Sequence, residues 1–265
     1  MPDPVPISPA ANLDGFAPVS LAEIDAVRLM NRVDTKYLTD EATLAGVLRD
    51  AAAAGYRVLV AGGDRISPYD SVYFDTPGLR MFSDHHNQRL RRQKVRTRVY
   101  VNSGDAFLEI KRKNNRGRTK KKRTAIPPAE LPDFRADATA CRYLADWSDF
   151  RAEELLPTLE TAFQRITLVN PAMTERITID TDLRFKNFRT GLEASLGDAV
   201  VIELKQDGRA ASLMKGILLD HRVKPARISK YCIAVTLTDP SARSNRFKEK
   251  VRLIEKTINR KITVA

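Results

Sequence analysis

Five stretches of the chain alternate charged and apolar residues with the two-residue period of a β-strand, and their charged members are the residues best equipped for chemistry. In NRVDTKYLT, Arg32, Asp34 and Lys36 share one side, with Val33, Thr35 and Tyr37 on the other. In RQKVRTRVY, Lys94, Arg96 and Arg98 align, and in AFLEIKRK, Glu109 aligns with Lys111. In TERITIDTDLRF, Arg176, Thr178, Asp180 and Asp182 oppose Ile177, Ile179 and Leu183; in AVVIELKQD, Glu203 and Lys205 oppose Val200, Ile202 and Leu204. Arginine offers a planar fork to phosphate oxygens and lysine a point charge. The carboxylates recurring among these cations suit a hard divalent metal such as Mg²⁺ or Mn²⁺.

Two readings of this pattern compete. An antiparallel sheet with one wet face would alternate in the same way. Cations set beside one another across strands destabilise a sheet, however, unless an anion lies between them. A closed barrel with a polar lumen would hold a polyanion there, provided helices cover its apolar outer face.

The chain has 265 residues and a formal net charge of +12, and that charge is local. From Arg89 to Arg123 there are fifteen basic and two acidic residues, so the remainder is close to neutral. Hydrophobic residues at 43% and charged residues at 29% exclude wholesale disorder, and the length suits one large domain with an ample core. No run approaches ~18 consecutive apolar residues, so no membrane span is expected, and the first twenty residues lack the form of a secretory signal. Cys141 and Cys232, with no metal-ligand spacing, read as reduced thiols of a cytoplasmic protein.

A Pro-rich lead-in is expected over residues 1–17, a main domain over 18–239 and a basic helix or tail over 240–265. Helices are expected near Ser20–Met30, from Thr39 to Ala54 (capped by Thr39 or Asp40 and stopped by Gly55), in an interlude from Ala138 to Leu156, at Ala210–Leu219, at Ser229–Leu237 and from Arg243 onward. Strands fill most of the stretch between Gly55 and Lys205. Asp75-Thr76-Pro77-Gly78 reads as a turn. His85 and His86 would point to opposite sides of a strand, so a loop or turn role is favoured over metal binding.

Six ordered motifs carry a resemblance: RVDTKYLTD, VYFDTPGLRMFSDHHNQRLRRQKVRTRVY, FLEIKRKNNRGRTKKKR, TERITIDTDLRF, VIELKQDG and RISKYCIA. In their order and spacing, from about Leu21 to Asp239, the chain resembles the VTC domain, the polyphosphate polymerase branch of the triphosphate tunnel metalloenzymes. The resemblance implies an α+β fold, an antiparallel β-barrel tunnel of about eight strands flanked by helices. It implies an ATP-dependent polyphosphate polymerase whose substrates are ATP or another triphosphate and inorganic polyphosphate, with a divalent Mn²⁺ or Mg²⁺ as cofactor. Lys36 matches the tunnel lysine of the first strand, Lys230 the lysine near the reacting phosphate, and Arg227 a place where the family often has lysine; these three are the expected catalytic residues. Arg96, Arg98, Lys111, Arg165 and Arg176 match phosphate-binding positions; Lys205 joins them, and Lys122 is favoured among Lys120, Lys122 and Arg123. Glu203 matches the metal-binding glutamate, and Glu109 is the second candidate ligand. The Glu-x-Glu-x-Lys start of related hydrolases is here Arg32, Asp34 and Lys36, which favours the polymerase branch.

Three alternatives stay open: hydrolysis of triphosphate or polyphosphate, a non-catalytic polyphosphate-binding module, and a nucleic-acid-binding protein. Against the last, Tyr100 and Phe107 are too few aromatics to form a stacking platform. No specific nucleic acid is expected as a partner, and membrane association only through another protein. The segment from Arg243 to Lys261, with eight basic and two acidic residues, reads as a solvated helix, or alternatively as a surface for an anionic partner.

Overall fold

Charged strand faces require apolar faces buried behind them, and helices supply the cover. The structure is a computed structural model that describes residues 13–25, 32–208 and 211–265. In chain order come β1 (Ala17–Val19), α1 (Leu21–Asp25), β2 (Arg32–Asp40), α2 (Glu41–Ala53), β3 (Arg57–Leu59) and β4 (Ser67–Asp75). There follow α3 (Arg80–His86), β5 (Arg92–Tyr100), β6 (Asp105–Lys113), β7 (Thr119–Ile126) and α4 (Ala138–Trp147). Two long strands, β8 (Leu156–Val169) and β9 (Glu175–Asn187), precede β10 (Glu193–Ser195) and β11 (Ala199–Asp207). Last are α5 (Leu213–Asp220), α6 (Lys230–Thr238), α7 (Asn245–Thr257) and β12 (Thr263–Val264). The architecture is the expected α+β with antiparallel pairing, β1–β3 being a parallel exception. Among the described residues no helix is long and apolar enough to cross a membrane.

The chain divides into two units: Met1–Ser67, Gln164–Asp182 and Asp198–Arg227 form the first, and Pro68–Phe163, Leu183–Gly197 and Ile228–Ala265 the second. In the first unit β11 pairs with β2 from Ala199↔Asp40 to Asp207↔Arg32, and with β9 from Val201↔Asp180 to Gln206↔Glu175. Tyr37, Ile177, Ile179, Ile202 and Leu204 form one side of that sheet and pack with Leu44, Val47 and Leu48 of α2 and Met214 and Leu218 of α5. The helix α2 forms where its cap allows: Asp40 accepts from the Thr43 N–H at 2.7 Å, and apolar residues at 44, 47, 48 and 51 make one buried stripe. Gly55 follows at φ 77°, a left-handed turn in which a Cβ would also press within 3.2 Å of Pro171. Leu13 and Phe16, assigned to the lead-in by sequence, are buried in this core, which corrects its boundary; residues 1–12 lie outside the described residues. The expected helix at Ser20–Met30 is described only as α1, since 26–31 also lie outside.

In the second unit β4, β5, β6 and β7 pair in sequence order. Val72, Phe74, Val95, Leu108 and Ile110 form their apolar side and meet Phe134 together with Ala140 and Leu144 of α4. Helix α4 starts at Asp137, which accepts from Thr139 and Ala140 N–H, and ends at Trp147, earlier than the expected Leu156. The terminal segment contributes to this unit: Ile254 of α7 is buried, and β12 pairs with β10. Cys141 and Cys232 are free thiols.

Helix α3 was not expected, and it corrects the loop assignment of His85 and His86. The turn at Asp75 organises it. The buried Asp75 carboxylate accepts from the N–H groups of Thr76 (2.8 Å), Met81 (2.8 Å) and Phe82 (2.9 Å), and from the Tyr231 hydroxyl (2.6 Å). It thereby ties β4, α3 and the first turn of α6 together. His86 lies at the end of α3 with its Nε2 2.7 Å from Asn245 Oδ1, and His85 meets the Phe247 ring edge-on. Replacing Asp75 with Ala orphans several buried donors at once, so Asp75→Ala is expected to lose about 3 kcal/mol in chemical denaturation. A loss under about 0.5 kcal/mol, the level of an ordinary surface change, would contradict this role.

Candidate functional site

Each unit presents one charged strand face. In the second unit the register sets Lys94 opposite Lys111 and Lys111 opposite Lys121, while Arg96 and Arg123 flank Glu109. Such rows of cations repel one another, and the face carries its own counter-charge. Glu109, only 2% exposed, accepts from Arg96 Nε at 2.8 Å through Oε2 and from Lys121 Nζ at 2.7 Å through Oε1. Burial alone would push the Glu109 carboxyl up, but Arg96, Arg98 and Lys121 outweigh burial and hold it well below the usual carboxylate range.

Tyrosines of β4 complete this face. The Arg96 guanidinium also donates to the Tyr73 hydroxyl at 2.9 Å, and Arg98 donates to Ser71 Oγ at 2.9 Å while lying over the rings of Tyr69 (5.1 Å) and Phe163 (5.5 Å). Burial raises the Tyr73 phenol, yet Arg96, Lys94 and Arg98 more than reverse this and bring it down to about 7. Lys94 Nζ donates to Ser229 Oγ at 2.7 Å, and Lys230 Nζ stands 4.6 Å from the Phe163 ring. Ser229 caps α6 by accepting from the Cys232 N–H, so Lys230 occupies the first helical position, fixed by the neighbouring Tyr231–Asp75 bond.

The first unit's face is built from β2, β11, β9 and β8. Glu203 sits in register between Lys36 and Thr178, and Lys205 between Asp34 and Arg176. Arg165 grips Asp180 with two contacts, Nε to Oδ1 at 2.6 Å and a second guanidinium nitrogen to Oδ2 at 2.8 Å. Lys205 Nζ is 3.9 Å from Glu203 Oε1. Burial lowers the Lys205 ammonium to about 8; Glu203 opposes the shift, and Arg165 and Arg176 add to it. Arg227 is exposed, on a segment whose Ala226 N–H donates to the Lys36 carbonyl at 2.7 Å and whose Pro225 bridges to Tyr37.

The structure gathers Arg96, Arg98, Lys111 and Glu109 on one face, with Lys230 positioned from α6, and Lys36, Arg165, Arg176, Glu203 and Lys205 on the other. Lys122 is corrected. It lies opposite Ile110, on the apolar side of the sheet, with its Nζ 4.0 Å from the Trp147 ring, and Lys121 and Arg123 are the residues that share the Glu109 side. Parity with Lys120 gave no anchor, because four consecutive cations offer two equally charged faces. Tyr69, Ser71 and Tyr73 were missed, although SPYDSVYFD alternates them with Asp70, Val72 and Phe74.

A divalent metal fits this donor set in one place. Both Glu109 oxygens are engaged by cations, so it is poorly placed as a ligand. Glu203, partly exposed on a face that also carries Asp34, is the carboxylate better placed to meet a metal arriving with its phosphates. Among the described residues no group of three or more His, Cys, Asp or Glu forms a ready-made cage, and Mg²⁺-type ions commonly use only one or two carboxylates plus substrate oxygens.

Residues 31–238 match the VTC domain family. Among solved structures, a putative adenylyl cyclase from Hippeastrum, described as having a dominant triphosphatase activity, aligns at 15% identity over 76% of this chain and 94% of its own, with a TM-score of 0.47. The PH1012 protein of Pyrococcus horikoshii OT3 aligns at 10% identity over 76% and 98%, with a TM-score of 0.40. Likeness at that level bears on neither substrate nor reaction. No curated protein sequence matches the chain.

Two outcomes are expected of the charged faces. Lys205 releases its proton near pH 8 when folded but near 10.5 when unfolded, so the unfolded chain holds the extra proton between those values and stability rises with pH across that window. Lys205→Met removes this cost: its melting temperature should exceed the wild type's by several degrees at pH 7, and the gap should close towards pH 10.5. An equal gap at both pH values would contradict it. Glu109→Gln leaves Arg96 and Lys121 without their anion and should cost about 3–5 kcal/mol. Tripolyphosphate should restore more of that variant's melting temperature than it adds to the wild type; an equal gain in both would tell against phosphate binding on this face.

Proposed function

The chain belongs to the VTC domain family, and from that premise we propose that it is a polyphosphate polymerase, transferring the γ-phosphoryl group of ATP to phosphate or to a growing polyphosphate chain. Family membership supports the coarser reading, an enzyme that handles triphosphates. The observation that carries the finer one is the composition of the second unit's face: close-set Arg and Lys around the carboxylate Glu109, with no histidine among them.

In the reaction, the bond between the γ-phosphorus and the β–γ bridging oxygen breaks as a terminal oxygen of the acceptor forms a new bond to that phosphorus. ADP leaves, and the acceptor is longer by one phosphate. The acceptor is already anionic, so no general base is required, and catalysis reduces to positioning and charge stabilisation. Arg96, Arg98, Lys111, Arg165, Arg176 and Lys205 would hold phosphate oxygens, the arginines through paired N–H groups. Lys36, Arg227 and Lys230 would stabilise charge at the reacting end. Glu203 would hold Mn²⁺ or Mg²⁺, which when bound neutralises charge on the phosphates. The single first-strand carboxylate, Asp34, in place of the pair that begins the related hydrolases, supports transfer over hydrolysis.

Incubation of the purified chain with ATP and Mn²⁺ should yield ADP and a product that exopolyphosphatase degrades. Lys230→Ala and Glu203→Ala should each reduce turnover by about 100-fold or more, the size of effect removal of one charge-stabilising group has elsewhere. Free phosphate as the only phosphate-containing product besides ADP would sink the polymerase reading.

A further inference from the structure

A second basic cavity lies at the start of β5 in the second unit. A cavity of about 560 Å³ is lined by Arg80, Arg89, Arg91 and Arg92, with Gln93 and Phe150 among its walls. Arg92, the first residue of β5, shares the parity of Lys94 and Arg96; the other lining residues do not belong to the Glu109 face. Gln93 alternates with Lys94 and Arg96 along β5, placing it on the α4 side, where its Oε1 accepts from Ser148 Oγ (2.9 Å) and the Asp149 N–H (3.2 Å).

The polar lining is rich in donors and short of free acceptors. Gln93 has spent its oxygen on those two bonds, so its NH₂ group remains. Asn87 Oδ1 faces His86 Nδ1 at 3.1 Å, so its amide likewise offers NH₂. The two carboxylates of the cavity are already paired, Asp84 with Arg89 at 3.0 Å and Asp149 with Arg112 at 2.8 Å. Arg80 lies 5.3 Å from the centre of the Phe150 ring, and Arg92 is tethered to the Arg89 carbonyl at 2.7 Å, so with Arg89 on Asp84 three of the four guanidinium groups are positioned. The volume is within the range of small-molecule sites, yet the lining offers Phe150 as its one aromatic surface, which excludes an apolar ligand. Donors in excess, forked cations and little apolar wall are the requirements of consecutive phosphate groups.

We infer that this cavity binds an oligophosphate, the inorganic chain or the triphosphate of a nucleotide, as a site separate from the charged strand faces. It deepens the polymerase reading by giving a polyphosphate chain a second hold on the protein, but its own basis is the cavity's chemistry.

Calorimetric titration at fixed salt tests it, with tripolyphosphate and ATP as separate probes distinguishing the two sources. The wild type should show two classes of site for at least one probe. The variant Arg80→Ser/Arg89→Ser/Arg91→Ser should lose one class and keep the other at unchanged affinity. The corresponding triple lysine variant, which preserves charge without the fork, should weaken that class by about tenfold. Lys120→Ser/Lys122→Ser, which removes surface charge elsewhere, should leave both classes intact. A triple serine variant whose isotherm matches the wild type's, or a lysine-run variant that loses as much, would overturn the site. The readout is binding: a protein that binds here yet makes no polyphosphate refutes the polymerase reading alone.

Discussion

Like charges crowded on one side of a β-sheet repel, and this structure depends on how that repulsion is offset. Glu109 supplies the main compensation in the second unit: one buried carboxylate held between Arg96 and Lys121, with Arg98 near enough to lower its pKa further. Asp180 does the equivalent for Arg165 in the first unit. Buried ion pairs seldom add net stability, because desolvation offsets their attraction. Their service here is positional. Each holds a guanidinium in a fixed orientation through paired or charge-assisted bonds. Lys205 shows the residual cost, since its proton is held more weakly than an exposed lysine's.

The fold makes those faces possible by absorbing the apolar residues that alternate with the charged ones near the centre of each sheet. Ile177, Ile179, Ile202 and Leu204 go under α2 and α5, and Val95, Leu108 and Ile110 go under α4. A register slip of one residue would exchange the two sides of a strand, placing cations in the core, so the hydrophobic pattern fixes the charged face as firmly as it fixes the core. Asp75 adds the remaining constraint. Through Tyr231 it anchors the first turn of α6, and that turn carries Lys230.

Much of this was legible from alternation alone. Wherever a strand interleaves charged with strongly apolar residues, as at Lys94–Val99 or Val200–Lys205, parity assigns sides correctly, because burial admits one answer. It fails where both parities are charged. Lys120 to Arg123 has no apolar member to mark the inner side, and only pairing with Glu109 and Ile110 on β6 separates Lys121 from Lys122. Helix α3 was hidden for a different reason: its first-turn N–H groups are satisfied by Asp75, five residues before its first position, rather than by the residue immediately before it, and its buried Met81, Phe82 and His86 make too short a stripe to read as a helix. Three arginines of the cavity, Arg89, Arg91 and Arg92, fell within the same basic run as the strand arginines, and no spacing rule could set them apart.

On the proposed function, the cations paired with Glu109 and Asp180 are the ones that receive phosphate. A crystal structure with tripolyphosphate bound tests it most directly. Phosphate oxygens are expected within hydrogen-bond distance of the Arg96 and Arg165 guanidinium groups. Density confined to the exposed lysine run, with neither guanidinium touched, would contradict it.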